Sequence, residues 1–209
     1  MTHVPLTAIA GGIGSGKSVV SKCLRIMGYE VYDTDTEAKR IMDTSRGIKR
    51  AIAVEICREA ITDTGDIDRR RLARAVFADS KLLGRLNVLV HRAVVDDIKM
   101  WYDTRSEAGI PLFVETALLY QSRIDTMVDC VWLVDAPVET RVGRIVGRGG
   151  ISDTEARSRI DAQERYRPDR RHAMTRLIVN DGRTALLPRI GELLSELTRC
   201  HASVSEPSS

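Results

Sequence analysis

The stretch that most limits what this chain can become is Gly11-Gly12-Ile13-Gly14-Ser15-Gly16-Lys17-Ser18. It meets the G-x-x-x-x-G-K-[ST] pattern at every fixed position. Glycines let a backbone wrap tightly enough for successive N–H groups to converge on one anion. In that pattern Lys17 reaches the outer phosphates of a nucleotide, and the Ser18 hydroxyl ligates a magnesium ion. The flanks agree. Leu6-Thr7-Ala8-Ile9-Ala10 reads as a short strand apolar on both faces, while Val19, Val20, Cys23, Leu24 and Met27 fall on one helical face before a stop at Gly28. Strand, loop and helix in that order aim a helix N-terminus at the anion. A glycine-rich turn that merely happens to contain Lys-Ser would not need this context.

Five segments read as buried parallel strands: Leu6–Ala10, Tyr29–Asp33, Leu112–Glu115, Cys130–Asp135 and Arg176–Asn180. Helical patterning follows most of them, which predicts an α/β fold with a five-stranded parallel sheet flanked by helices. Ligands then belong at the carboxyl ends of the strands. Placing the second strand beside the first would bring its end near the outermost phosphate. A chain of 209 residues suits one such domain with an insertion.

The insertion shows in the spacing. A parallel crossover needs about a dozen residues, yet roughly 75 separate the second and third strands. Ile48, Ala51, Ile52 and Ile56 keep helical spacing in one part, and Leu82, Leu86, Leu89, Val90, Val94, Ile98 and Trp101 in another. The turn cluster Asp63-Thr64-Gly65-Asp66 lies between them. Residues 41–108 are expected to form a helical lobe holding a second substrate, within a core of 1–40 and 109–209. After the fourth strand, Arg141, Arg144 and Arg148 recur at helical spacing, and Gly147, Gly149 and Gly150 loosen the chain. Ser152-Asp153-Thr154-Glu155 is a capping-box signature, and Arg157, Arg159, Arg165 and Arg167 continue the basic run. Beside a phosphate loop, these two helices over 140–167 predict a mobile arginine-rich lid. Ala185 to Thr198 predicts a packing helix with Pro188 in its first turn, and the tail from Ala202 reads as short, polar and frayed.

Lys and Arg number 32 against 29 Asp and Glu, a net charge of +3, which predicts no general attraction to nucleic acid or membrane. Four scattered cysteines and four scattered histidines form neither a disulfide frame nor a zinc site. No apolar run approaches the ~20 residues of a membrane span, and there is no signal-peptide core, so cytoplasm is the expected location. A monomer or weak homo-oligomer is expected.

A phosphate loop alone does not separate kinase from motor, GTPase or transporter. No guanine-reading N-K-x-D string occurs. The second strand ends in Asp33-Thr34-Asp35, and a carboxylate there can accept the proton of an attacking hydroxyl or hold the metal. One of the pair is expected to be catalytic and the other structural, since Asp also suits turns and helix caps. Phosphoryl transfer to a hydroxyl in an arginine-clamped site therefore ranks first.

These residues resemble the dephospho-coenzyme A kinase family. Ala10 to Ser18 is similar to its TGGIGSGKS, and Gly28-Tyr29-Glu30-Val31-Tyr32-Asp33-Thr34-Asp35 to its G-x-x-V-(I/Y)-D-A-D. Asp68-Arg69-Arg70-Arg71-Leu72-Ala73, Leu86-Asn87-Val88-Leu89-Val90-His91, the run from Val134 through Arg148 to Ala162-Gln163, and Ile178-Val179-Asn180-Asp181-Gly182 follow in the family's order. The chain departs from it at Arg92 (usually Pro), at Ala117 to Gln121 (usually P-L-L-(F/Y)-E) and at Gly149 (usually Asp).

The resemblance implies ATP-dependent phosphorylation of the ribose 3′-hydroxyl of dephospho-coenzyme A, with Mg²⁺ on Ser18. It implies Asp35 as general base, with Lys17 and Arg148 stabilising charge on the transferred group. Gly12, Ile13, Gly14, Ser15, Gly16, Lys17, Ser18, Val19, Arg144 and Asn180 would bind ATP, the Asn180 loop against its adenine. Asp33, Arg70, His91 and Leu118 would bind the acceptor. The nearest alternative is another small-molecule kinase, such as one acting on nucleoside monophosphates.

Overall fold

The structure, a computed structural model, describes residues 3–165, 168 and 170–204, with side chains through residue 199. Arg167, the side chains of Cys200 and His201, and the tail from 205 lie outside the described residues. The chain divides into two compact units, residues 1–32 with 105–209, and residues 33–104.

The first unit is built on a parallel sheet. Its strands are β1 (Leu6–Ala10), β2 (Val31–Asp33), β3 (Leu112–Thr116), β4 (Cys130–Asp135) and β5 (Thr175–Val179), in the spatial order β2-β3-β1-β4-β5. β1 is buried along its whole length. It therefore takes the middle, paired with β3 from Leu6↔Leu112 to Ala10↔Thr116 and with β4 from Thr7↔Cys130 to Ala10↔Leu133. The expected neighbour relation of β2 and β1 is corrected here, because β3 lies between them. β2 has three residues with only the middle one, Tyr32, buried, which suits an edge. Its attachment includes the Phe113 N–H, which donates to the Glu30 carbonyl at 3.1 Å.

Helices α1 (Lys17–Ile26) and α8 (Leu186–Val204) pack on this sheet, and α8 carries Pro188 in its first turn. α8 also runs through residues 202–204, which the sequence suggested as frayed tail. The apolar core joins Ile9, Leu24, Phe113, Trp132, Ile178 and Ile190. Phe113 meets Tyr29 edge-on at 5.6 Å and Trp132 at 5.1 Å, so one ring links three segments. Two further helices, α6 (Val138–Gly147) and α7 (Asp153–Glu164), form a hairpin with its own small core of Val142, Ile145, Ala156 and Ile160. Ile13 of the glycine-rich loop packs against that core. As the capping box predicts, the Ser152 hydroxyl accepts the Glu155 N–H at 3.2 Å.

The second unit is helical: α2 (Thr34–Thr44), α3 (Arg46–Ala51), α4 (Arg69–Ala78) and most of α5 (Ser80–Arg105). Each of the first three begins at a side-chain cap, Asp33, Ser45 and Asp68. The turn at Asp63–Asp66 closes a short antiparallel bridge between Ile61 and Ile67. Ile48, Ile52, Leu72, Val76, Val94 and Ile98 are buried. Among the described residues no helix is long and apolar enough to cross a membrane, and Cys23, Cys57 and Cys130 are free thiols.

Replacing Phe113 by alanine should remove the ring that joins Tyr29 to Trp132 and cost about 3–5 kcal/mol of unfolding free energy, read by urea denaturation.

Candidate active site

The glycine-rich loop leaves β1 at Gly11 and enters α1 at Lys17. Its carbonyls from Gly11 to Ser15 are each taken by a side-chain donor. Lys17 Nζ donates to Gly11 O at 2.9 Å and to Gly12 O at 3.3 Å. Arg141 Nε donates to Ile13 O at 2.9 Å. Arg144 Nη1 reaches Gly14 O at 3.3 Å and Ser15 O at 3.2 Å, and Asn180 Nδ2 donates to Ser15 O at 2.8 Å. With the carbonyls so occupied, the N–H groups of Gly14 and Gly16 have no acceptor among the described residues. That of Ile13 is taken by the Gln163 side-chain oxygen at 2.7 Å.

The helix that follows is left open in the same sense. Its N-cap is Gly16, whose φ of 95° is left-handed, and no side chain caps it. Helices ordinarily satisfy their first N–H groups with a Ser, Thr, Asp or Asn oxygen. An uncapped helix start after a glycine loop can donate its N–H groups to an anion. Ser18, in the first turn, is exposed.

The arginines of α6 do different jobs. Arg141 is only 5% exposed and Arg144 is half-buried, both on loop carbonyls. Arg148, at the helix C-terminus, is exposed and has no partner among the described residues. Gly149 and Gly150 both adopt positive φ immediately after it. The basic run on α7 is mostly paired: Arg157 holds Glu139 through two bonds of 2.8 and 2.7 Å and Asp153 at 2.8 Å, and Arg159 holds Glu155 at 2.7 Å. Asn180, 6% exposed, uses both ends of its amide internally, since its oxygen accepts from Arg144 at 3.1 Å. Leu118 is exposed on the turn after β3, its N–H held by the Thr116 hydroxyl at 3.1 Å. Glu115 lies half-buried in β3 opposite Ile9 of β1.

In the second unit, the two aspartates differ in their bonding. Asp33 accepts the N–H groups of Asp35 and Thr36 at 3.0 and 3.2 Å, capping α2. Asp35, the second residue of α2, is exposed and its carboxylate has no partner among the described residues. The arginine triplet divides likewise. Arg69 pairs with Asp43 at 2.7 Å and Arg71 with the Glu59 carbonyl at 3.2 Å, while the Arg70 guanidinium is exposed and unpartnered among the described residues. Burial pushes the His91 imidazole below its ordinary value, so it is neutral at pH 7.

Sequence reasoning missed that Arg141 is a buried component of the loop and that Gln163 bonds the loop directly. The first had a signal. Arg141 lies one turn before Ile145, a core position on the same helical face.

The loop tolerates no side chain at Gly16, where a Cβ would stand 2.0 Å from Asn180 Nδ2 on a backbone of positive φ. Gly16→Ala should weaken ATP binding by about tenfold or more, read by titration with a fluorescent ATP analogue. A folded His91 resists protonation, whereas an unfolded one takes a proton near pH 6.5, so acid favours unfolding. Stability should fall as pH drops below about 6.5, and His91→Gln should flatten that slope in urea midpoints measured at several pH values.

Comparison with known proteins agrees with this geometry. The family model described as dephospho-CoA kinase matches residues 5–185. The dephospho-CoA kinase of Bacteroides fragilis (strain YCH46) is 34% identical over 189 residues, covering 90% of this chain and 91% of that protein. That of Porphyromonas gingivalis is 35% identical over 187 residues, covering 89% and 91%. A crystal structure from Thermus thermophilus superposes with a TM-score of 0.70 at 33% identity, covering 94% of this chain and 97% of that one. The dephospho-CoA kinase of Campylobacter jejuni, at 18% identity and a TM-score of 0.61 over 93% and 95%, shares the fold. A loop, sheet and helical insertion in this order, matched along nearly the whole length, leave one conclusion: the chain belongs to the dephospho-CoA kinase family.

Proposed function

We propose that the chain carries its family's activity, transfer of the γ-phosphoryl group of ATP to the ribose 3′-hydroxyl of dephospho-coenzyme A, giving coenzyme A and ADP in the last step of that synthesis. The observation that carries this reading is the loop whose carbonyls are all turned onto Lys17, Arg141, Arg144 and Asn180, leaving N–H groups for a triphosphate.

Residues Gly12 to Val19 cradle the phosphates. Lys17 exchanges its loop carbonyls for phosphate oxygens when the triphosphate arrives, and Arg148, without a partner among the described residues at the end of α6, meets the charge that builds on the transferred group. Arg144 and Asn180 support ATP through the loop they hold. Among the described residues no group of three or more His, Cys, Asp or Glu side chains could hold a metal ion. The donor that is present, one exposed hydroxyl on Ser18 in the first turn of α1, suits an ion that brings most of its oxygens with the nucleotide. Bound there, Mg²⁺ would neutralise charge on the phosphate oxygens.

Asp35 is the base. Its carboxylate takes the proton of the 3′-hydroxyl as the new O–P bond forms, while the bond from the γ-phosphorus to the bridging oxygen breaks and its electron pair leaves with ADP. Asp33 keeps α2 in place by capping it, which leaves Asp35 as the unencumbered member of the pair. Arg70, His91, Leu118 and the Asp33 turn bind the acceptor, Arg70 as the unpaired cation of its triplet for an anionic group. We place the enzyme in the cytoplasm, where its free thiols stay reduced.

Asp35→Asn should keep ATP affinity and lower kcat with dephospho-coenzyme A by about 10²-fold or more, measured by coupled ADP release. Nucleoside monophosphates in place of the acceptor should give no turnover and no shift of the melting curve. Turnover with a monophosphate alone, or an unchanged kcat in Asp35→Asn, overturns the assignment.

A further inference from the structure

One buried cation does more than the phosphoryl-transfer reading requires of it. Arg141 is 5% exposed, and its three nitrogens are unequally served. Nε donates to the Ile13 carbonyl at 2.9 Å, and Nη1 pairs with Glu164 Oε1 at 2.5 Å. Nη2 is enclosed with no hydrogen-bond partner. A buried guanidinium placed for stability alone would have its donors satisfied, and an orphan of this kind calls for another reason. Its surroundings supply one. A Cβ at Gly12 would lie 2.4 Å from Nη2, and a Cβ at Gly14 would lie 2.8 Å from the Arg141 carbonyl. The side chain is thus seated against the loop at Gly12, and its backbone against the loop at Gly14.

The partners of Arg141 lead to the far end of α7. Ile13 is held on both sides of its backbone, its N–H by Gln163 at 2.7 Å and its carbonyl by Arg141. Gln163 also donates to the Ala117 carbonyl at 3.4 Å, and its neighbour Glu164 clasps Arg141. Two consecutive residues at the end of α7 therefore grip the same loop residue, one directly and one through a guanidinium.

We propose that Arg141 is a positioning residue for phosphoryl transfer, passing the placement of the α7 end, through Glu164, to the shape of the phosphate loop at Ile13. This rests on the reading of that loop as the cradle of ATP. With Glu164 engaged, the Ile13 carbonyl is drawn away from the phosphates. With the pair broken, Ile13 loses one of its two grips and the cradle loosens.

The test uses the full chain with Arg141→Met, Arg141→Lys, Glu164→Gln and the double variant Arg141→Met/Glu164→Gln. Each is assayed for ATP affinity, for KM of ATP and of dephospho-coenzyme A, and for kcat. Arg141→Met should raise the Kd and KM of ATP by about tenfold, the worth of one lost charged hydrogen bond, with the KM of the acceptor unmoved. Arg141→Lys should recover part of the loss. Glu164→Gln should raise the KM of ATP when Arg141 is present and change nothing when it is Met.

A folded Arg141→Met with unaltered ATP affinity overturns the proposal, as does an effect of Glu164→Gln that is equal in both backgrounds. A fall in kcat with neither KM moved would mean fewer folded molecules, and would also overturn it. Should Arg141→Met not fold, Glu164→Gln decides alone, because its carboxylate is half-exposed and an unchanged KM for ATP sinks the coupling. A wild-type protein that binds no ATP is a different result, and it removes the cradle reading along with this one.

Discussion

A tight loop of glycines has a hydrogen-bonding demand that shapes everything around it. Five successive carbonyls, from Gly11 to Ser15, lie in half-buried or buried surroundings, and buried carbonyls need donors. The chain meets the demand with residues far apart in sequence: Lys17 from α1, Arg141 and Arg144 from α6, and Asn180 after β5. Those contacts explain why α6 must follow β4 closely and why β5 must end where it does. Asn180 N–H, for instance, is fixed by the Asp135 carbonyl at 2.7 Å, which ties the ends of β4 and β5 behind the loop.

Charge is distributed with equal economy. Against the loop stand three cations that donate to its backbone oxygens, Lys17, Arg141 and Arg144, and Arg141 also pairs with Glu164. On the α6–α7 hairpin, by contrast, Arg157 and Arg159 are balanced by Glu139, Asp153 and Glu155. Exposed pairs of that kind add little stability, and their service is to fix the hairpin's geometry. A chain with a net charge of only +3 thus gathers three cations around its glycine-rich loop.

Much of this was legible beforehand because the governing signals are local. The loop motif, the strand Leu6–Ala10, the strand Cys130–Asp135 and the cap at Ser152 are set by short-range chemistry and were placed to the residue. Asp at position 33 suits a helix cap, and the capping bonds are there. What failed depended on partners distant in sequence. Strand spacing says nothing about whether β3 slips between β1 and β2, and that outcome turns on relative burial. The arginine run looked uniform because residue type does not reveal pairing. Only contacts separate Arg141 under the loop, Arg157 between helices and Arg148 in solvent. The helical register places Arg141 one turn before the core residue Ile145.

The uncapped start of α1 has a consequence outside catalysis. A helix whose first N–H groups wait for an external oxygen is incomplete by itself, so part of the folding free energy of this unit is deferred to the ligand. In a cell that keeps its nucleotide well above the dissociation constant, mass action supplies that share continuously. Starved of nucleotide, the same polypeptide would be a less durable protein, and its lifetime against proteolysis would report the energy state of its surroundings.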